Sequence, residues 1–386
     1  MSEALLLYGA PERSAALRHE VPVAIMDPVL FAEVDGRATI LTSFLERDRI
    51  AQVLPEVALL DVFDLGLKTL LTEDDLPLEE AERSVALRAV AQLGITRARV
   101  PGDFPVGLAD RLREGGVEVV VDDAAVTMRR RAKSGRELDG VLAAQGAAEA
   151  GMAAAAALLR AAEPGPKGRL VLEGVELTAE RLRAALRDTC TARGAPAPAD
   201  IIVASVWQGT GHDPGEGPLP AGLPIQIDLW PCHEASGCWA DMTRTFVVGD
   251  PTSEHAELIA AQEEIVRAAL EEARNGVRPG VTGRALFDST CDRFEAAGHR
   301  TQRTGPDPED DAAGFQFSLG HGVGLEVHEA PWLGLSGRDP LVEGDVLAVE
   351  PGLWDPRIGG VRFEDLLLVT ANGCETLTRY PYELSP

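Results

Sequence analysis

Positive charge, and lysine in particular, is scarce in this chain of 386 residues. Lysine occurs only at Lys68, Lys133 and Lys167, and 36 lysines and arginines face 62 acidic residues, which gives a net charge of −26. Nucleic-acid phosphates and anionic membrane surfaces both attract basic protein faces. The charge balance therefore argues against nucleic acid and membrane as partners, and solubility is its simplest consequence.

Cysteine and long apolar runs are also scarce. The five cysteines are scattered and odd in number, which fits a reduced cytosolic protein, although Cys232 and Cys238 could face each other across a hairpin. No stretch approaches 18 apolar residues, and the N-terminus has no basic segment before an apolar one. We therefore expect no membrane span and no signal peptide, and a cytoplasmic location.

The chain divides into expected domains at residues 1–130 and 131–386. In the first, short apolar runs alternate with amphipathic stretches, which predicts a small α/β domain with a hairpin turning at Asp35-Gly36. The second opens with Ser134-x-x-Glu137, a capping box that predicts the start of a long helix. An order of two helices followed by strands then occurs twice, so we expect an α+β domain built as two related halves.

Two acidic residues lie inside apolar strands of the second domain. Asp228 is in "PIQIDLW" and Asp241 is in "CWADMTRTFVVG". If these strands pair, side-chain alternation can bring both carboxylates to one side of the sheet. Buried like charges repel unless a cation or a proton lies between them. Either acid alone is more simply an exposed strand end, whereas the two together indicate a cation site.

Three further residues extend this pattern toward the C-terminus. His321 follows a glycine in "GHGVGLEVHEAP", Glu350 ends "DVLAVE", and Glu364 interrupts the apolar "VRFEDLLLVT". An ion pair with Arg362, which shares a strand face with Glu364, is the simpler explanation of the last acid. Mixed carboxylate and imidazole ligands suit Mn, Co, Fe or Zn. Four carboxylates can neutralise two divalent ions, and two-metal sites generate a bridging hydroxide at neutral pH.

His321 and His328 are two of only seven histidines and lie seven residues apart. A helix would stack both rings on one face, and a straight strand would send them to opposite faces. The glycines around His321 disfavour a helix and suggest that the backbone approaches another group closely. We expect His321 to end a strand and His328 to return to the site from another direction.

Five motifs in this order resemble those of the "pita-bread" metallopeptidases, which include methionine aminopeptidase, aminopeptidase P and prolidase. The motifs are "IQID", "ADMTRTF", "GHGVGLEVHE", "VEPGL" and "VRFEDLLLVT". The resemblance covers residues 134–386 and extends more weakly to the N-terminal domain, which is similar to that of prolidase, aminopeptidase P and creatinase. Methionine aminopeptidase lacks such a domain, and "RRRAKSGREL" matches the linker of the Xaa-Pro branch, so that branch fits better.

The resemblance implies a fold, an activity and a ligand set. The fold would be a pita-bread catalytic domain with two related halves around a curved antiparallel sheet. The activity would be hydrolysis of Xaa-Pro bonds in proline-containing peptides or dipeptides by a homodimer with two metal ions, manganese first and cobalt, iron or zinc as alternatives. The ligands would be Asp228 on one ion, His321 on the other, Asp241 and Glu364 as bridges, and Glu350, which also handles a proton of the nucleophilic water.

The same resemblance implies catalytic roles for two more histidines. His328 matches the histidine that stabilises the tetrahedral intermediate and shapes the proline site, which suits an imidazole donor aimed at developing negative charge. His212, in "GTGHDPGEG", matches a histidine that contacts the scissile region, and an ordinary loop histidine is the alternative.

Substrate contacts are implied for three residues. Arg362 matches an arginine beside the last ligand and would orient a carboxylate or meet the substrate. Arg338 lies where prolidases bind the dipeptide's terminal carboxylate, with a surface arginine as the alternative. Trp332 would form an apolar wall for proline. Trp354 departs from the family, in which tyrosine is common at that position, and it removes a hydroxyl near the site.

Three alternatives to an Xaa-Pro peptidase reuse the same fold. A creatinase-like hydrolase without metal and a non-catalytic binding paralogue would both be expected to lose carboxylate ligands, and all five ligands are present here. An iron-dependent lyase is not excluded by an intact ligand set. The choice between dipeptidase and aminopeptidase is open at this point.

Overall fold

The structure, a computed structural model, describes residues 3–208, 211–310 and 312–386. Gly209 and Thr210 of the "GTGHDPGEG" segment lie outside the described residues. The chain forms two compact units, Met1–Arg130 and Arg131–Pro386.

The first unit is built on one mixed sheet. Its elements are β1 Glu3–Gly9, α1 Ala15–Glu20, β2 Val29–Val34, β3 Arg37–Thr42, α2 Phe44–Val53, β4 Ala58–Asp61, α3 Leu67–Thr72, α4 Leu78–Gln92, β5 Arg97–Val100, α5 Val106–Glu114, β6 Glu118–Val121 and α6 Asp123–Arg131. The strand order is β4-β3-β2-β1-β5-β6. The β2–β3 hairpin turns at Asp35-Gly36 as predicted, and both residues have positive φ, 50° and 75°.

In its described residues, the second unit contains four α-helices and the remaining strands. Its elements are α7 Gly135–Ala161, β7 Glu163–Pro164, β8 Leu170–Leu172, β9 Val175–Glu176, α8 Ala179–Ala192, β10 Ile202–Ala204, β11 Ile225–Leu229, β12 Cys232–His233, β13 Cys238–Trp239, β14 Met242–Phe246, α9 Ser253–Gly276, α10 Gly283–Ala296, β15 Gly320–Gly322, β16 Glu329–Leu333, β17 Val346–Val349, β18 Gly352–Asp355, β19 Gly359–Arg362, β20 Asp365–Thr370 and β21 Gly373–Thr376, with a short 3-10 helix at Pro166–Gly168. The predicted capping box opens α7, because the Ser134 hydroxyl accepts from the Glu137 backbone N–H and the Glu137 carboxylate accepts from the Ser134 backbone N–H.

Two antiparallel sheets dominate the second unit. The first has the order β10-β11-β14, and the second has the order β16-β15-β17-β20-β21. The helices α7 and α8 precede the first sheet and pack on it in one apolar core, while α9 and α10 precede the second sheet and pack on it in another. The repeated order of two helices and a sheet is therefore present, as the sequence predicts.

Several predicted strands are interrupted at the acidic residues. The run "CWADMTRTFVVG" divides into β13 and β14 with Asp241 between them, and "GGVRFEDLLLVT" divides into β19 and β20 with Glu364 between them. Likewise, "GDVLAVEPGLW" is interrupted at Glu350, and the following Pro351 has no N–H to donate to a strand ladder. These three carboxylates therefore lie at strand ends rather than within continuous strands.

One helix bears on the expectation that the chain has no membrane span. By length and composition alone, α7 is long and apolar enough to cross a membrane, and half of its most apolar window is buried inside the protein. Its apolar residues pack in the core beneath the first sheet, for example Ala148, Met152 and Leu159. An alanine-rich core helix passes the same composition test as a membrane helix, so the test does not separate the two.

The five cysteines are free thiols. In the β12–β13 hairpin, Cys232 pairs with Trp239, and His233 pairs with Cys238. The two cysteines are therefore not opposite each other, and the disulfide considered from the sequence does not form.

Gly320 supplies a test of the packing between β15 and β17. Its φ is +154°, and a Cβ there would lie 1.9 Å from the carbonyl oxygen of Ala348. We expect Gly320→Ala to lower the free energy of unfolding by about 2 kcal/mol or more, because the neighbouring strand has to move. Gly373→Ala is the matched control, since its Cβ would meet nothing within 4 Å. Equal urea-denaturation midpoints for the two variants would contradict this account.

Candidate metal centre

Acidic and imidazole side chains from both sheets of the second unit converge at the strand ends. They are Asp228 in β11, Asp241 before β14, His321 in β15, Glu350 after β17 and Glu364 before β20. The predicted pairing of β11 with β14 is present, and Asp228 lies opposite Thr243. The two sheets are also joined directly, because the backbone N–H of Glu364 donates to the carbonyl of Thr243 at 3.2 Å.

Potential ligand atoms of these residues form overlapping groups, and within each group all atoms lie within 4.8 Å of one another. The groups are Asp228, Asp241 and Glu364; His321, Glu350 and Glu364; and Asp241, His321 and His328. Asp241, Glu364 and His321 are each shared by two groups, and the first two are carboxylates with two oxygens to offer. Such sharing is what two adjacent cation positions bridged by carboxylates require.

His321 presents one nitrogen to the acids. Its Nε2 lies 3.7 Å from Asp241 Oδ2 and 3.7 Å from Glu350 Oε1, while Nδ1 lies 3.1 Å from the carbonyl oxygen of Gly322. Burial, then the nearby His328, lowers the pKa of His321 to about 3. The ring is therefore neutral near pH 7, with Nδ1–H donating to the carbonyl and the Nε2 lone pair free to bind a cation.

The carboxylates are held in an environment that opposes their ionisation. Burial, then repulsion from Glu364 and Asp228, raises the pKa of Asp241 well above its usual range. Burial, then repulsion from Glu350 and Asp228, also raises the pKa of Glu364 well above its usual range. Burial raises the pKa of Glu350 to about 7, against the lowering effect of Arg362. A bound cation would remove this opposition by compensating the negative charges.

Asp241 gives the most direct test of fit to a metal ion. Its Oδ1 atom is buried and accepts no hydrogen bond within the described part of the chain. An acceptor in that state normally costs stability, because buried polar atoms nearly always have partners. Carboxylate oxygens and a neutral imidazole together form a suitable donor set for a divalent transition-metal ion. The residues present therefore fit the predicted cofactor.

Arg362 pairs with two of the acids, but not with the one suggested by the sequence. Its Nη2 donates a hydrogen bond to Asp228 Oδ2, and its Nη1 lies 3.4 Å from Glu350 Oε2. The simpler interpretation of the sequence, an ion pair between Arg362 and Glu364, is replaced by these contacts. They follow from the break before β20, which separates the two side chains that a continuous strand would have placed on one face.

Thr243 is a site residue whose contacts the sequence did not reveal. Its hydroxyl donates to Glu364 Oε2 at 2.7 Å and accepts from the Nε and Nη2 of Arg362 at 3.2 and 3.1 Å. It therefore fixes the orientation of a carboxylate and of the arginine at once. The available signal was its place two residues after Asp241, on the same face of a strand.

Arg244 supports the site from the opposite face of β14. It is buried and forms an ion pair of 2.9 Å with Asp365, and it also donates to the carbonyl oxygens of Thr243 and Glu364. These bonds hold β14 against the segment before β20. An arginine and an aspartate within apolar runs were the signal in the sequence, but their pairing spans more than a hundred residues.

His328 lies against His321 rather than apart from it. The strands β15 and β16 pair, and the two rings meet edge to face with centroids 4.2 Å apart. Burial, then the nearby His212, lowers the pKa of His328. From the sequence we expect the chain to bring His328 to the site from a different direction than His321. Its position just before β16, the strand that pairs with β15, agrees with this and brings the two rings into contact.

An ion pair fixes the segment that carries His328. The neighbouring Glu329 accepts from Lys133 Nζ at 2.5 Å, and the side chains are only 6% and 2% exposed. Lys133 immediately precedes the N-cap of α7. The sequence offered only one signal for this pair, namely that Lys133 is one of three lysines.

A cavity of about 440 Å³ opens beside the cluster. Of the residues predicted to contact substrate or take part in catalysis, it is lined by His212, His321, His328, Trp332, Glu350 and Arg362. Trp354 also lines it. Arg338 is exposed and is not among the described residues of the lining, so its contact with a substrate remains a prediction.

Comparison with known proteins agrees with this geometry. The sequence profile of metallopeptidase family M24 matches residues 139–371. The Xaa-Pro dipeptidase of Pyrococcus horikoshii is 30% identical over 341 residues, which cover 85% of this chain and 86% of that protein.

Solved structures show the same fold over the whole chain. The X-Pro aminopeptidase of Thermotoga maritima gives a TM-score of 0.76 at 23% identity and covers 99% of this chain and 97% of that one. The prolidase of Pyrococcus horikoshii gives a TM-score of 0.72 at 24% identity, with coverage of 99% and 95%. The predicted α+β pita-bread fold, preceded by a smaller α/β domain, is therefore confirmed, and the chain belongs to metallopeptidase family M24.

Proposed function

We propose that this protein hydrolyses the peptide bond between an amino-terminal residue and proline. The observation that carries the proposal is the cluster of overlapping carboxylate and imidazole groups beside an open cavity that also contains His328. The names of the relatives, Xaa-Pro dipeptidase and X-Pro aminopeptidase, support the choice of substrate. Proline lacks an N–H and fixes φ, so a dedicated pocket is a reasonable requirement for cutting such bonds.

The proposed metal ligands are those named from the sequence. Asp228 would hold one ion and His321 the other, with Asp241 and Glu364 bridging, and Glu350 as the remaining ligand. Manganese is the proposed metal, and cobalt, iron or zinc are alternatives that suit the same donors. Two divalent ions bound there would acidify a water molecule so that hydroxide is available near pH 7.

The remaining steps fall to side chains of this chain. Glu350 would take the proton of the attacking water and pass it to the leaving proline nitrogen, since its carboxyl lines the cavity in which the peptide would lie. His328 would donate a hydrogen bond to the oxyanion, and His212 would contact the scissile region from the exposed side of the cavity. Arg362 would hold Asp228 and Glu350 in place.

Apolar side chains would recognise the proline ring. Trp332 lies across from His321 on β16 and lines the cavity, and Trp354 lines it from β18. Both rings offer flat apolar surface next to the proposed scissile bond. The indole of Trp354 supplies an N–H donor at a position where the family commonly has the hydroxyl of tyrosine.

Three further properties belong to the same proposal. The unit at residues 1–130 would be the creatinase-like N-terminal domain and residues 131–386 the catalytic domain. The protein would act in the cytoplasm as a homodimer. The free cysteines agree with a reducing compartment.

The two histidines of the cluster should behave differently when they are replaced. After loading with Mn²⁺ and dialysis against metal-free buffer, we expect His321→Ala to retain less metal than wild type, because it lacks a proposed ligand. We expect His328→Ala to keep its metal content and to lose about a hundredfold or more in kcat, because it removes a donor to the oxyanion. Metal analysis of both purified variants is the measurement. Equal metal loss in the two variants would show that His328 is a ligand.

The proposed reaction has a direct test in the release of alanine. Purified protein loaded with Mn²⁺ should release alanine from Ala-Pro or Ala-Pro-Ala, and removal of metal by a chelator should abolish the release. Ala-Ala and Ala-Ala-Ala are the matched control substrates. Metal-loaded protein that releases no alanine from either proline peptide would refute the proposed function.

Arg338 has a separate test, because it is proposed to bind the terminal carboxylate of a dipeptide. We expect Arg338→Ala to raise the KM for Ala-Pro and to leave Ala-Pro-Ala unchanged, since a charged hydrogen bond would be lost only with the dipeptide. An equal change with both substrates, or no change with either, would contradict this role.

A further inference from the structure

Gln226 is a polar residue of the cavity that has no role in the reaction described above. It belongs to β11 and precedes Asp228 by two residues, so both side chains point to the same face of the strand. Gln226 is half-buried and lines the cavity together with His321 and Glu350. The wall that contains a proposed metal ligand therefore also contains a free carboxamide.

The amide of Gln226 is available for a ligand. Within residues 3–208, 211–310 and 312–386, its side chain makes no hydrogen bond. Its cross-strand neighbour Thr245 does not serve as a partner, because that hydroxyl is already bonded to the backbone N–H and carbonyl of Arg362. The neighbour on the other side is Ala204, which has no polar side chain.

Space for a ligand beside Gln226 depends on a glycine. A Cβ at Gly360 would lie 3.5 Å from the Oε1 of Gln226 and 3.2 Å from the ring of Trp354. A side chain at this position would therefore contact both the carboxamide and the indole. Gln226, Trp354 and Gly360 all line the cavity, so the glycine keeps this part of the lining open.

The separation from the cluster indicates which part of a peptide reaches Gln226. Two residues along a strand span about 6.6 Å. An extended peptide advances about 3.3–3.6 Å per residue. From a scissile bond held at Asp228, the residue that follows proline therefore has its N–H about one step away and its carbonyl about two steps away, within reach of Gln226. On the amino-terminal side only one residue precedes the scissile bond. The group at Gln226 is therefore on the carboxyl-terminal side, beyond proline.

The charges of the cavity distinguish a peptide group from a free carboxylate at that place. Arg362 is the only arginine or lysine among the described residues of the lining, and Asp228, Glu350 and Thr243 already occupy its guanidinium. A carboxamide can donate to a peptide C=O and accept from a peptide N–H, whereas a carboxylate offers acceptors only.

We propose that Gln226 binds the backbone of the residue that follows proline, and that it favours peptides extended beyond proline over Xaa-Pro dipeptides. This inference rests on the proposed function. It assigns Gln226 as a specificity-determining residue of that reaction.

The test compares Gln226→Met with wild type on Ala-Pro-Gly and Ala-Pro, both with Mn²⁺ bound. Methionine keeps the length of the side chain and removes both hydrogen-bonding groups. We expect kcat/KM for Ala-Pro-Gly to fall about tenfold and that for Ala-Pro to stay within about twofold, because one pair of neutral hydrogen bonds is lost. Gln92→Met, an exposed position in the first unit, is the matched control and should change neither value.

A substrate without the N–H makes the test independent of how the variant folds. We expect wild type to cleave Ala-Pro-Gly about tenfold better than Ala-Pro-sarcosine, in which the nitrogen after proline is methylated, and we expect Gln226→Met to lose this preference. Equal cleavage of the two tripeptides by wild type, an unchanged preference in Gln226→Met, or an equal loss on dipeptide and tripeptide would overturn the inference. Metal-loaded wild type that cleaves none of these peptides would refute the proposed function instead.

Discussion

Repulsion between four carboxylates in one largely buried cluster is the constraint on which the second unit depends. One arginine, Arg362, is paired within the cluster, and the imidazole of His321 is neutral near pH 7. One positive charge against four negative charges leaves three uncompensated. A pair of divalent cations with one hydroxide would balance that remainder. The second unit is therefore built for cations, and its strands hold acids that would otherwise separate or take up protons.

The broken strands are what allow these acids to meet. A continuous strand would present its acids at fixed intervals on a flat face, whereas interruptions at Asp241, Glu350 and Glu364 let each carboxylate turn toward a common centre. Thr243 and Arg244 then connect the two sheets from opposite faces of one strand. The geometry of the centre thus depends on hydrogen bonds between strands that are far apart in sequence.

The acids that the structure brings together could be named from the sequence, because an acid inside an apolar run is costly without a compensating partner. The capping box at Ser134 and the hairpin at Asp35-Gly36 were also predictable, since both are local. The partners of Arg362 and Thr243 were not, because alternation fixes the face of a side chain but not where a strand ends. The apolar composition of α7 does not by itself distinguish a core helix from a membrane helix, because the segments that cover α7 are distant in sequence.

Lys133 has a consequence for the choice of fragments in protein engineering. The family profile begins at residue 139, and a fragment trimmed to that boundary would lack both the lysine and the N-cap of α7. Glu329 would keep its buried position without its lysine, and breaking a buried pair in this way costs about 3–5 kcal/mol. The disturbance would fall next to His328. A minimal fragment therefore has to start upstream of the profile, because the segment before α7 anchors one side of the cavity.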